Sequence, residues 1–195
     1  DHLRGMFAFA IWDKKNKRLI LARDQLGVKP LYYLFNRNDF IFSSEIKSFK
    51  NLKDIKLEVN KESIMKLLAF RYTPDDNTTF KNIKKILPGE VLIFQNNNIK
   101  IKKYYNQKED IIYNNFNIAL KKTNEVIEDS VEKHMIADVE VGSFLSGGID
   151  SSIISAIAQK YMKKQNKILK TFSVGFDYFS ELKYSKEVAD HYISF

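Results

Sequence analysis

Apolar positions fall in short strand-like runs over roughly the first hundred residues and recur at helical spacing over most of the remainder. Met6 to Trp12 and Arg18 to Ala22 flank the charged stretch Asp13-Lys14-Lys15-Asn16-Lys17, the pattern of a β-hairpin. Arg23 to Pro30 reads as a loop punctuated by Gly27 and Pro30. Leu31 to Phe35 resumes as an aromatic-rich strand, and Phe40-Ile41-Phe42 follows a turn over residues 36–39. Ser43-Ser44-Glu45 stands where a short helix through Phe49 needs a cap. These strands are expected to form a meander of at least four. Asn60 caps a helix with Ile64, Leu67, Leu68 and Phe70 on one face, ending before Pro74. Pro88-Gly89 opens a second hairpin, Glu90 to Phe94 and Ile99 to Tyr105, joined by a turn from Gln95 to Asn98.

The pattern then changes. Residues 107–117 are polar and aperiodic in their first half, and beyond them Leu120, Ile127, Val131 and Met135 share one face of a long helix. Val139, Val141, Phe144 and Leu145 suggest a short strand, and Ile153, Ile154, Ile157 and Tyr161 a helix. A strand from Lys170 to Phe176 and a helix from Glu181 to about Tyr192 complete the chain. Strands alternating with helices imply a parallel sheet, whose ligands bind beyond the carboxyl ends of the strands. The division expected is residues 1–106, a linker over 107–117, and residues 118–195. The fold class is α+β followed by α/β.

Between the predicted strand and helix lies Ser146-Gly147-Gly148-Ile149-Asp150-Ser151-Ser152. Two glycines let the backbone turn tightly and approach a ligand, and the helix beyond presents unpaired N–H groups with the positive end of its dipole. That is a seat for a phosphate-like anion. Taken alone, the same residues also describe a polar turn with a helix cap. No lysine follows the glycines, so the loop is not the common nucleoside-triphosphate loop.

Composition narrows the chemistry. The 195 residues hold no cysteine, which excludes disulfides, thiolate metal sites and a cysteine nucleophile within them. The net charge of +8 is spread over scattered lysines, and Lys100, Lys102 and Lys103 alternate with isoleucine as the exposed face of a strand does, so no nucleic-acid partner is expected. The longest apolar run, Met6 to Trp12, is far short of a membrane helix, and the expectation is a cytoplasmic protein with no membrane partner. His2, His134 and His191 have no metal-ligand spacing. The chain opens on Asp1 and stops inside an apolar segment, and it is read as the middle of a longer enzyme.

Several stretches taken together resemble glutamine-hydrolysing asparagine synthetase over nearly the whole chain. They are Arg23-Asp24 with Gly27 to Tyr33, Ser43 to Lys47, Phe70-Arg71-Tyr72, Thr78-Thr79-Phe80, Leu87-Pro88-Gly89, Ser146 to Ser152, and Thr171 to Phe176. The loop by itself resembles the pyrophosphate loop of ATP-pyrophosphatases. The resemblance implies the C-terminal part of an N-terminal-nucleophile αββα glutaminase sandwich, then the start of a parallel-sheet ATP-pyrophosphatase domain of the adenine nucleotide α-hydrolase type. It implies glutamine, aspartate and ATP as substrates, Mg²⁺ as cofactor, an acyl-adenylate, and release of AMP and pyrophosphate. It leaves room for a homodimer.

Carried onto this chain, the resemblance assigns pyrophosphate binding to Ser146, Gly147, Gly148, Ser151 and Ser152, and Mg²⁺ to Asp150, whose other reading is a helix cap. Leu145 and Val174 would flank the adenine, or else are plain core. Arg23, Asp24, Lys29 and Glu45 are read as bracing a turn. The glutaminase nucleophile is absent, so no catalytic residue is assigned and the isolated chain is expected to be inactive. Glu140 stands where the family commonly has proline. Two alternatives remain: the same chemistry on another carboxylic acid, as in sugar-acid amidotransferases or β-lactam synthetases, and a truncated non-catalytic interaction module.

Overall fold

The computed structural model describes residues 3–36, 39–52, 55–106, 113–176 and 180–192, and the chain divides into two compact units, Asp1–Glu109 and Asp110–Phe195. In the first, the order is β1 (Ala8–Asp13), β2 (Arg18–Arg23), β3 (Tyr32–Phe35), β4 (Phe40–Ser43), a 3-10 helix (Ile46–Asn51), α1 (Lys61–Phe70), β5 (Ile83–Lys85), β6 (Glu90–Gln95) and β7 (Asn98–Lys103).

These strands do not form one meander. They make two antiparallel sheets, β1-β2-β6-β7 and β4-β3-β5, because β6 takes the free edge of β2 and the Arg23 to Pro30 loop carries the chain away to start a second sheet. The first hairpin forms as expected, with Ala10 opposite Leu21. Its turn is braced by Asp13, which accepts from Asn16 Nδ2 at 2.8 Å and Arg18 Nε at 2.9 Å. The Asn16 side-chain bond, with its backbone N–H and Arg18, holds the Asp13 carboxyl at about 2. The β6–β7 turn is tighter than expected. Asn96 and Asn97 both take positive φ (49° and 59°), which fits the two-residue hairpin turn whose twist matches the strands.

Tyr33 and Leu34 alternate between two cores, as neighbours on a strand must. Tyr33 packs with Leu21, Leu31, Ile86 and Leu92, and Leu34 packs with Phe49 and Ile83 on the other face of its sheet. Phe40 of one sheet stacks on Phe94 of the other at 4.4 Å between centroids. Leu21, Ile83, Ile86 and Leu92 are fully buried, each contributing about 1.5–3 kcal/mol by removal from water.

The short helix after β4 is 3-10, its first position flanked by Glu45 without a side-chain cap; Ser43 Oγ instead accepts the Glu45 N–H at 3.2 Å. Asn60 does cap α1, accepting the Ser63 N–H at 3.2 Å, and the helix ends at Arg71 with φ 64°. The apolar face differs from expectation. Ser63 is the buried position and Ile64 and Leu67 are half-buried, while Leu68 stands about 100° round the helix from Leu67 and is exposed, as is Phe70.

The second unit runs α2 (Phe116–His134), β8 (Gly142–Phe144), α3 (Ile149–Lys163), β9 (Lys170–Phe172) and α4 (Leu182–Tyr192). Residues 107–112 of the expected linker lie outside the described residues; its end is already helical, because Asn115 caps α2 by accepting the Ile118 N–H at 3.2 Å. Leu120 is exposed, whereas Ile127, Val131 and Met135 do face the core. The strands are shorter than the sequence suggested. Val139 lies outside β8 and is exposed, as are Val174 and Phe176 beyond β9. The two strands are parallel, Gly142 opposite Lys170 and Phe144 opposite Phe172, with α3 as the crossover. Among the described residues no helix is long and apolar enough to cross a membrane.

Candidate functional site

The loop after β8 is fixed at both ends. The Leu145 N–H donates to Phe172 O at 2.9 Å, and Ser173 Oγ–H donates to Leu145 O at 2.6 Å, so the last residue before the loop is tied to the neighbouring strand. Its side chain is only 1% exposed and packs with Val131, Ala158 and Leu169. Leu145 is therefore core, and its side chain is no wall for a ligand. Val174 lies on the surface instead, in the segment that follows β9.

Helix α3 begins earlier than the sequence suggested, at Ile149, with Gly148 as its N-cap. Asp150, Ser151 and Ser152 thus occupy the first turn and are not loop residues. A glycine N-cap has no side chain to satisfy the orphan donors of the turn. The amides of Ile149, Asp150 and Ser151 find no acceptor among the described residues; the first helical bond is from the Ser152 N–H to Gly148 O at 3.0 Å. Three N–H groups with the positive end of the helix dipole make an anion seat.

The serines are internally committed. Ser152 Oγ–H donates to Gly148 O at 2.7 Å, and Ser151 Oγ–H donates to the same carbonyl at 3.1 Å. Ser151 has then no proton left for Ser146 Oγ, 2.9 Å away, so the Ser146 hydroxyl donates to Ser151 while accepting the Gly148 N–H at 3.3 Å. In this arrangement the hydroxyls shape the loop, and the backbone amides are the donors left for an anion.

Asp150 is exposed, and its carboxylate has no hydrogen bond or ion pair among the described residues. It does not cap the helix; Gly148 holds that position. A carboxylate in the first turn is favoured by the dipole, and one such group with waters fits Mg²⁺, which takes few protein ligands beside phosphates. No cluster of three or more metal-ligating side chains occurs among the described residues.

Gly147 has φ +86°, and a Cβ there would stand 2.6 Å from Tyr184 Cβ. The loop is packed against the first turn of α4, a neighbour for which the sequence carried no signal. Gly148 has ordinary extended φ, and a Cβ there meets only Ser146 Oγ at 3.4 Å.

In the first unit, Arg23 and Asp24 do not pair with each other. Arg23 donates to Lys29 O at 2.8 Å, Ile86 O at 2.7 Å and Gly27 O at 2.6 Å. The buried Asp24 carboxylate accepts the N–H groups of Leu26, Val28 and Lys29 at 2.9–3.1 Å. Burial pushes that carboxyl upward, and the donors of Lys29, Val28 and Leu26 outweigh it and hold it below its ordinary value. Lys29 contributes only main-chain groups to this brace, and Glu45 forms a surface pair with Lys47.

Residues 1–105 match a glutamine amidotransferase domain model and residues 122–194 an asparagine synthase model. "Asparagine synthetase [glutamine-hydrolyzing] 1" of Bacillus subtilis is 40% identical over 190 residues, covering 96% of this chain. "Asparagine synthetase [glutamine-hydrolyzing] 3" of the same organism is 38% identical over 179 residues, covering 91%. The chain spans 29% of the length of each. Among solved structures, the glutamine phosphoribosylpyrophosphate amidotransferase of Bacillus subtilis aligns over 90% of this chain and 34% of its own, at 17% identity and a TM-score of 0.32.

Proposed function

The chain belongs to the glutamine amidotransferase domain family, joined to an asparagine synthase segment as in glutamine-hydrolysing asparagine synthetases, and on that premise we propose a role for its two units. The second unit seats the pyrophosphate of ATP on the N-terminus of α3, and the whole protein amidates aspartate with ammonia released from glutamine. A carboxylate oxygen of aspartate attacks the α-phosphorus, the α–β phosphoanhydride bond breaks and pyrophosphate leaves. Ammonia then attacks the acyl carbon of the adenylate, the carbon–oxygen bond breaks, AMP departs and a proton is lost. Activation is needed because a free carboxylate has no good leaving group.

The observation that carries this reading is the set of free amides at Ile149, Asp150 and Ser151, directly beyond a parallel strand and under a side-chain-free N-cap. They supply donors where charge collects on the departing pyrophosphate, the kind of preorganised stabilisation that lowers such barriers. When bound, Mg²⁺ shields phosphate charge; Asp150 is the residue of this chain that would hold it.

The test is ATP–pyrophosphate exchange with aspartate present, measured on the full-length protein and its Asp150→Asn variant across a magnesium titration. Exchange should fall at least ~10-fold in the variant, equivalent to about 1.4 kcal/mol in the barrier, with a higher magnesium requirement. Unchanged exchange with unchanged magnesium dependence would remove Asp150 from the metal role. No aspartate-dependent exchange in the parent would sink the reaction itself.

A further inference from the structure

The first unit holds a cleft of about 570 Å³. It opens between the Arg23 to Pro30 loop, Leu67 of α1, the segment through Tyr72 and Thr73, and Lys85 of β5. Its size lies within the range of small-molecule sites.

Two cations line it and neither is ion-paired among the described residues. Three of the five N–H donors of Arg23 go to carbonyl oxygens, which leaves two. Lys85 is half-buried and donates to Thr73 O and, at 3.2 Å, to Thr73 Oγ1, which leaves one proton of three. Its neighbour Lys84 points elsewhere, to Asp76 at 3.2 Å and Asn77 at 2.9 Å. Burial, then the Arg23 guanidinium, pushes the Lys85 ammonium below its ordinary value, with Asp75 and Asp76 acting the other way. Asp75 and Asp76 offset only part of this, cations partly removed from water without an ion-pair partner are costly, and an anion placed between them relieves both. Leu26, Ile46, Leu67, Tyr32 and Tyr72 supply its apolar and aromatic lining, beside the Asp75 carboxylate and the hydroxyls of Thr73, Thr78 and Thr79.

We propose that this cleft binds a small monocarboxylate with an apolar body, its carboxylate between Arg23 and Lys85 and its hydrocarbon against Leu67 and Tyr72. One negative charge matches the spare donors, since a planar carboxylate accepts from both guanidinium and ammonium.

Hydrocinnamate, and its uncharged analogue hydrocinnamide, are the probes, titrated into the isotope-labelled 195-residue chain and followed by amide chemical shifts. Hydrocinnamate should saturate with shifts centred on Leu26, Leu67, Tyr72 and Thr73, and hydrocinnamide should bind at least ~10-fold more weakly for want of the charge-assisted bonds. Lys85→Met, which keeps the apolar stem, should weaken binding similarly. Leu26→Glu sets a like charge at the rim on a residue 80% exposed, so the fold is preserved and affinity should also fall. Failure to saturate, equal binding of the amide, or shifts elsewhere overturns the proposal. If Lys85→Met loses the parent spectrum, Leu26→Glu decides alone, and unchanged affinity there overturns it.

Discussion

A side chain on Gly147 would place its Cβ 2.6 Å from the amide nitrogen of Ser185, whereas a Cβ on Gly148 would meet nothing closer than Ser146 Oγ at 3.4 Å. Two adjacent glycines in one motif therefore answer to different constraints, one to packing within the chain and one to whatever lies outside the loop. Gly147→Ala combines backbone overlap with a positive φ and should destabilise the second unit by more than about 2 kcal/mol. Gly148→Ala costs about 1 kcal/mol, the difference between a favoured glycine N-cap and an unfavoured alanine one. Urea unfolding followed by helical circular dichroism checks both, and pyrophosphate affinity should fall in Gly148→Ala although its fold is intact. Retained affinity there would mean that no ligand approaches the Gly148 backbone.

Leu145 lies in the core and Val174 on the surface. Leu145→Ala should cost about 2–5 kcal/mol, as for buried leucines generally, with Val174→Ala within about 0.5 kcal/mol of the parent. If Val174 covers the adenine, its variant loses ATP affinity in a nucleotide titration with no loss of thermal stability. An unaffected affinity leaves Val174 as surface.

Asp24→Asn replaces one accepting oxygen with a donor facing amide N–H groups and should cost about 1–3 kcal/mol near neutrality. The pH sign follows from the depressed carboxyl: its contribution is fully present above the unfolded value of about 3.9 and is lost as pH falls through the folded value. Stability should thus decline in acid more steeply for the parent than for Asp24→Asn, with the two converging. Trp12 fluorescence during urea unfolding from about pH 5 downward reports it, and Asp13, present in both proteins, cancels in the difference. Parallel curves would contradict the assignment.

The chain holds no cysteine, and an ammonia assay with glutamine should read background. Turnover abolished by a thiol-directed glutamine analogue would contradict the absence of a nucleophile in these residues.

Legibility from sequence followed the range of the interactions. The hairpin from Ala8 to Arg23 and the cap at Asn60 are local, and charge, alternation and a side-chain oxygen announced them. Ile83–Lys85 was not anticipated as a strand, because three residues without alternation become one only through bonds to β3. The meander failed for the same reason: which edge β6 would occupy is decided by Leu92 and Phe94 meeting the first core, and not by adjacency. In the loop, the glycines and serines announced a tight strand-to-helix turn, but three details were invisible. These were the helix start at Ile149, the closing of the serine hydroxyls onto Gly148 O, and the approach of α4 at Tyr184 and Ser185. Each depends on residues far away or on one backbone angle.

Asp24 has one more consequence. Its carbonyl accepts the N–H of Gly89 at 2.9 Å and its own N–H donates to Phe7 O at 2.8 Å, while Arg23 reaches Ile86 O across the chain. The outward passage from the first sheet and the return passage at Pro88-Gly89 are clasped by the same two residues. Neither sheet can fray at this end without releasing the other, so amide hydrogens of Val28, Lys29 and Gly89 should exchange with solvent at one shared rate, set by a single opening of the whole first unit.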